Sequence, residues 1–165
     1  MILSQDEIID LYDANGKVIG NCYRSKFDKK NGLFLSVHLV VVNLQKKIII
    51  QKRKNKNNDN GKWDILTGVV KSGEGSIDGA YRELQEELGI EKHNVSMFFI
   101  NRIITNRNIM DVYKVEMQKD VDIIPNEQEI SEIKIVTKEF LKRLFLQSHK
   151  ELEYVNCIVG ILNCE

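Results

Sequence analysis

Glu83, Glu86 and Glu87 stand at i, i+3 and i+4, the spacing that stacks side chains on one face of an α-helix and gathers three carboxylates together. Like charges so placed repel, and the grouping calls for a cation. An acidic run is ordinarily a solvated helix face, so the run alone does not decide between solvent and a bound metal. The preceding segment adds context: Thr67-Gly68-Val69-Val70-Lys71-Ser72-Gly73-Glu74-Gly75 is a glycine-bearing loop that lets backbone groups approach a ligand closely. Hard oxygen donors suit Mg²⁺ or Mn²⁺, and Mg²⁺ typically joins a few carboxylates to substrate phosphates. Loop and helix together read as a cradle for a metal and a phosphate-bearing substrate.

Other side chains near this cradle carry two readings each. Arg53, after Lys52 at the end of an apolar run, clamps a phosphate or simply snorkels at a strand end. Trp63, a few residues ahead of the loop, stacks on a base or fills the core, as single tryptophans usually do. His38 lies inside an apolar run and reads as a satisfied core histidine, whereas His93 and His149 read as surface residues.

The elements that must position these groups follow from periodicity. Residues 76–88 predict a helix, with Ile77, Ala80, Tyr81, Leu84 and Leu88 on its apolar side, Ser76 as N-cap, Gly89 as terminator, and the carboxylates on the opposite face. Residues 34–43 and 47–53 are rich in Val, Ile and Leu and predict buried strands. Further strands are expected over 95–105, 109–117 and 132–136, with helices over 138–145 and in the tail 151–162. Asn15-Gly16 joins two strands, 7–12 and 18–23, into an N-terminal β-hairpin. The Lys- and Asn-rich stretch 54–62 predicts an exposed loop. Strands interrupted by helices imply a layered α/β fold.

Gly68, Glu74 and the run Arg82-Glu83-Leu84-Gln85-Glu86-Glu87-Leu88-Gly89-Ile90 fill every defined position of the Nudix box, and residues 34–144 resemble the Nudix family. The resemblance implies an αβα sandwich with a mixed β-sheet. It implies a single Nudix hydrolase domain over 1–165, with a hairpin extension at 1–33, a core at 34–145 and a helical tail at 146–165. The activity it implies is metal-dependent hydrolysis of the diphosphate linkage in a nucleoside diphosphate joined to another moiety, by activated water. Glu86 and Glu87 would then be the main metal ligands, with Glu83 a further ligand or the base. A backbone carbonyl near Gly68 would help hold the ion. Arg82 would orient a carboxylate through a two-pronged ion pair and Glu74 would brace the loop, although a plain structural salt bridge fits either equally well. Glu127 and Glu129 are candidates for the further acid that members recruit from a later loop, or are surface charge.

Residues 9–13 through Gly20, with Gly61-Lys62-Trp63-Asp64, look like the subgroup related to isopentenyl diphosphate isomerase. That isomerase needs a cysteine just before the glycine loop and a histidine-rich metal site, and Ile65-Leu66-Thr67-Gly68 offers no such cysteine. A nucleotide-sensing domain that keeps the fold without turnover is the other alternative, and the intact carboxylates speak against it.

The whole chain sets the remaining bounds. Its 165 residues suit one domain with its own core. The 24 basic and 24 acidic side chains balance, so no global field points to a membrane surface or to long nucleic acid; the partner the resemblance implies is a small nucleotide or diphosphate. Cys22, Cys157 and Cys164 lack CxxC spacing and read as reduced thiols. No membrane span or signal segment is read, and a cytoplasmic location is expected. The hairpin offers strand edges through which two copies could pair as a homodimer.

Overall fold

The computed structural model describes residues 6–54, 61–148 and 150–162. An antiparallel hairpin opens it, formed by β1 (Ile8–Tyr12) and β2 (Val18–Tyr23). Its turn works as the sequence requires: Gly16 takes a φ of 79°, and the Asp13 carboxylate accepts from the Asn15 and Lys17 amides at 2.9 Å each. Period-two alternation seats Ile9 and Leu11 of β1 inward and leaves Ile8 in solvent.

The main sheet holds β3 (Phe34–Val42), β4 (Ile48–Arg53), β5 (Trp63–Asp64), β6 (Leu66–Val69), β7 (Val95–Ile104), β8 (Asn108–Met117) and β9 (Ile130–Val136). Its order is β5-β4-β3-β8-β7, with β6 alongside β3 and β9 alongside β4. β3 and β8 run parallel and the remaining pairs antiparallel, which makes the sheet mixed. Helix α1 (Ser76–Leu88) covers one face; α2 (Lys138–Gln147) and α3 (Leu152–Ile161) cover the other. With both faces covered, β3 and β4 are apolar along most of their length, with Ser36, His38 and Gln51 as the buried or half-buried polar exceptions. Val37, Leu39, Val41 and Ile49 pack toward Ala80, Leu84 and Leu88 of α1. Val40, Val42, Ile48 and Ile50 pack toward Leu141, Phe145, Val155 and Ile158. The αβα sandwich is therefore the fold of the chain.

Several sequence expectations are corrected. Ser76 is the first helical residue, not the N-cap: Gly75 takes that position without a side-chain bond, and the Ser76 hydroxyl is used elsewhere. Ile77 is 44% exposed, and Ala80, Leu84 and Leu88 carry the packing of α1 on the sheet. Glu83 and Glu87 do not face away from the core but are buried beside Leu84 and Leu88. Strands β5 and β6 were not expected, and β6 owes its extension to pairing with β3 rather than to local propensity. The 54–62 loop falls mostly outside the described residues, as do the surface reading of His149 and the thiol of Cys164. Among the described residues no helix is long and apolar enough to cross a membrane.

Candidate active site

The site is built where β6 runs through a loop into α1. Backbone bonds tie that loop down: Val70 N–H donates to Leu35 O at 3.0 Å and Ser72 N–H to Ile8 O at 2.8 Å. Asp10 of the hairpin holds it from outside, accepting from Ser72 Oγ at 2.6 Å and from Gly73 N at 3.1 Å. Gly73 allows the turn with a φ of 75°. The start of α1 is pinned to β8, where Ser76 Oγ donates to buried Asp111 Oδ2 at 2.5 Å and lies 2.9 Å from Tyr113 Oη. Arg102 grips the same carboxylate with two bonds of 2.6 and 2.8 Å. These contacts leave α1 little freedom to slide, so its carboxylates are aimed by the sheet.

Arg82 is the hub among those carboxylates. Its guanidinium forks onto Glu74 at 2.8 and 2.9 Å, reaches Glu83 Oε1 at 2.7 Å and Glu86 Oε2 at 3.1 Å, and donates to Val69 O at 3.0 Å. One planar donor fork thus fixes the loop, the end of β6 and two of the three helix carboxylates. Glu74 also accepts from Lys71 N at 3.0 Å, closing the loop on itself. Burial works to raise the pKa of Glu74, but the Arg82 bonds, the Lys71 amide and both positive charges outweigh it and hold it low.

The other carboxylates are less well compensated. Burial raises the pKa of Glu83; the Arg82 bond and charge offset only part of that, and the Glu86 charge adds to it. Burial pushes Glu87 up to about 7, against the Gln51 hydrogen bond and the Arg53 charge and with help from the Glu83 and Glu129 charges. Glu86, by contrast, is more than half exposed. Glu83 lies so close to β6 that a Cβ on Gly68 would come within 2.0 Å of its carboxyl carbon. Only glycine permits this approach of carboxylate to backbone.

Two buried acids and one at the surface, all hard oxygen donors short of positive charge, fit a divalent cation such as Mg²⁺ or Mn²⁺. Their oxygens are turned to Arg82 and Gln51, and among the described residues no three acidic, His or Cys side chains are drawn into a ready coordination shell.

The structure brings some of the remaining candidates near this cluster. Arg53 binds the Thr67 hydroxyl next to Gly68, and its charge acts on Glu87. Glu129 is exposed but close enough for its charge to raise Glu87, and its carbonyl accepts from Lys54 N at 2.7 Å. The Glu127 carbonyl accepts from Lys54 Nζ at 3.0 Å. Trp63 lies on β5, half-buried against the α2/α3 side, with Lys134 Nζ 4.3 Å from its ring centroid. His38 also faces that side, 2.9 Å from Tyr154 Oη and 3.2 Å from Ser36 Oγ, as a satisfied core histidine should be. Sequence reasoning missed Gln51, Asp10 and Asp111; the signal available was a polar residue inside each apolar strand pattern.

The sequence profile of the NUDIX domain matches residues 32–154. An uncharacterised Nudix hydrolase of Listeria monocytogenes is 30% identical over 147 residues, 82% of each chain. Nudix hydrolase 2 of Arabidopsis thaliana is 29% identical over 126 residues, 72% of this chain; the match covers 44% of that relative, so this chain spans less than half of it. Among solved structures, a Deinococcus radiodurans protein superposes with a TM-score of 0.76 at 22% identity, covering 92% of this chain and 97% of that one. An Ap4A hydrolase of C. elegans follows with a TM-score of 0.64 at 14% identity, covering 76% and 94%. At those identities the structural likenesses establish the fold. The profile match takes in the loop, the Arg82 hub and the carboxylates of α1, and the chain belongs to the Nudix family.

Proposed function

We propose that this chain is a Mg²⁺-dependent pyrophosphohydrolase that cleaves the diphosphate linkage of a nucleoside diphosphate joined to another group. The observation that carries the reading is the Arg82-centred gathering of Glu74, Glu83 and Glu86 against the Cβ-free wall of Gly68. Membership of a family whose relatives are named as hydrolases supports it.

Glu86 and Glu87 would hold the cation, with Glu83 as a third ligand or as the base and the backbone near Gly68 completing the donors. When bound, the cation lowers the pKa of coordinated water and neutralises charge on the phosphoryl oxygens. The chain's own residues do the rest. Glu83, where it acts as base, takes the proton of the attacking water as that oxygen bonds to phosphorus and the bridging P–O bond breaks. Arg82 keeps Glu83 and Glu86 in register with the loop, and Glu129 adds negative charge beside Glu87. Arg53, bound to Thr67, would meet a substrate phosphate. Trp63 packs on the α2/α3 side of the sheet, away from the carboxylates, and takes the core role rather than a base-stacking one. Among the described residues, Cys22 on β2 and Cys157 on α3 lie outside the elements that carry the carboxylates, which speaks against an isomerase reading.

The test is release of phosphate or nucleotide from a panel of diphosphate compounds with Mg²⁺, wild type beside Glu86→Gln, with isopentenyl diphosphate included. Metal-dependent cleavage that collapses in the variant supports the reading. Isomerised product, or binding of nucleotides without any turnover, sinks it.

A further inference from the structure

Gln51 interrupts the apolar run of β4. Ile48, Ile49 and Ile50 before it are buried, and Gln51 itself is only 3% exposed. Its backbone is fixed on both sides, paired with Asp64 of β5 and Ile133 of β9. Its amide Nε2 donates to Glu87 Oε2 at 2.7 Å, while its Oε1, equally buried, has no hydrogen-bond partner. An unpartnered buried acceptor costs stability, which a methionine or leucine of similar volume would not incur. Packing therefore does not account for an amide here; what its nitrogen does to Glu87 does.

We propose that Gln51 is a positioning residue for metal binding: its amide nitrogen locks one oxygen of Glu87 and leaves the other to ligate the cation. This rests on the metal-holding role proposed above for Glu87. The sheet sets Gln51 and the helix sets Glu87, so the bond between them fixes α1 relative to β4 at the carboxylate where the cation would be held. Groups that orient a ligand in this way typically change metal affinity by about 10–100-fold when removed.

The experiment is a Mn²⁺ titration of the full chain, with free Mn²⁺ followed by electron paramagnetic resonance, on wild type, Gln51→Met, Gln51→Asn, Glu86→Gln, Glu87→Gln and the double variant Gln51→Met/Glu87→Gln. Gln51→Met is expected to weaken Mn²⁺ binding about tenfold while the melting temperature of the metal-free protein does not fall below wild type. In the Glu87→Gln background the same change is expected to cause no further loss, because it acts through Glu87. Wild-type affinity in Gln51→Met, or an undiminished second loss in the double variant, overturns the proposal. If Gln51→Met does not fold, Gln51→Asn decides: its amide falls a methylene short of Glu87, so a tenfold loss supports the role and wild-type affinity ends it. Affinity lost in Glu86→Gln and Glu87→Gln but kept in Gln51→Met removes this inference alone. Affinity untouched by the glutamate substitutions removes the metal-holding reading, and this one with it.

Discussion

The two faces of the main sheet are built on opposite terms. Beneath α2 and α3 lies an apolar layer whose polar members are satisfied: His38 bonds Tyr154 and Ser36, and Asn108 Nδ2 donates to Ser36 at 2.9 Å. Beneath α1 the layer is just as apolar at Leu84 and Leu88, yet it also encloses Glu83, Glu87 and Gln51, one of them with an orphaned oxygen. Glu83 meets the Arg82 guanidinium and Glu87 only the Gln51 amide, and buried carboxylates so poorly compensated cost stability unless something else supplies positive charge. One face therefore holds the fold together, and the other gives up stability to keep a cation-seeking cluster in place.

Breaking the stable face should cost the most. Phe145, fully buried between the sheet and Tyr154, leaves a cavity when truncated, so Phe145→Ala should lose about 3–5 kcal/mol of unfolding free energy. Urea denaturation would measure it, and a loss below about 1 kcal/mol would mean that this layer is not the anchor. Below the unfolding transition the variant's Mn²⁺ affinity should match wild type.

On the other face the effects should reverse. Glu86→Gln should lower kcat/KM by about a hundredfold or more, equivalent to about 2.7 kcal/mol, with no fall in melting temperature, because its side chain is more than half exposed. A variant that keeps activity while losing stability would make the acidic face structural. Gly68→Ala falls between these cases: its Cβ would meet the Glu83 side chain at 2.0–2.4 Å and force it off Arg82. Activity should drop at least about tenfold, and a crystal structure of the variant should show Glu83 displaced; unchanged kinetics would mean that this approach is irrelevant to turnover.

The two faces also differed in how far the sequence disclosed them. The extent and the C-terminal stop of helix α1 were legible because its apolar spacing and Gly89, in the left-handed conformation at its end, agree, whereas its N-cap and the exposure of Ile77 were not. The chemistry within it was legible as residue types but not as environment. Glutamate reads as solvent-facing, and the burial of Glu83 and Glu87 comes from β6 and β4, brought up by pairings distant in sequence. Strand β6 was invisible for the same reason: four residues including a threonine and a glycine carry no strand signal until β3 supplies the partner. Asp111, between Met110 and Val112, and Gln51, after Ile50, were the readable exceptions: a lone polar residue in a buried strand needs a partner.

The smallest effect is the most direct comparison of the faces, because their titrating groups push stability in opposite directions with pH. Burial, with the Lys150 and Arg53 charges, lowers His38 to about 3 from 6.5, so between those values the unfolded chain binds a proton that the folded chain does not. Its contribution is fully present above pH 6.5 and is lost as pH falls, at up to about 1.4 kcal/mol per pH unit. Glu87 moves the other way: raised from 4.5 to about 7, it binds its proton more tightly folded than unfolded, so stability falls as pH rises through that window. In the metal-free protein the two slopes oppose each other between pH 4.5 and 6.5. Relative to wild type, His38→Gln should tilt the urea-midpoint profile toward acid and Glu87→Gln should tilt it toward base. Parallel profiles for the two variants would show that neither buried group titrates as its surroundings require, and the contrast between the faces would then rest on packing alone.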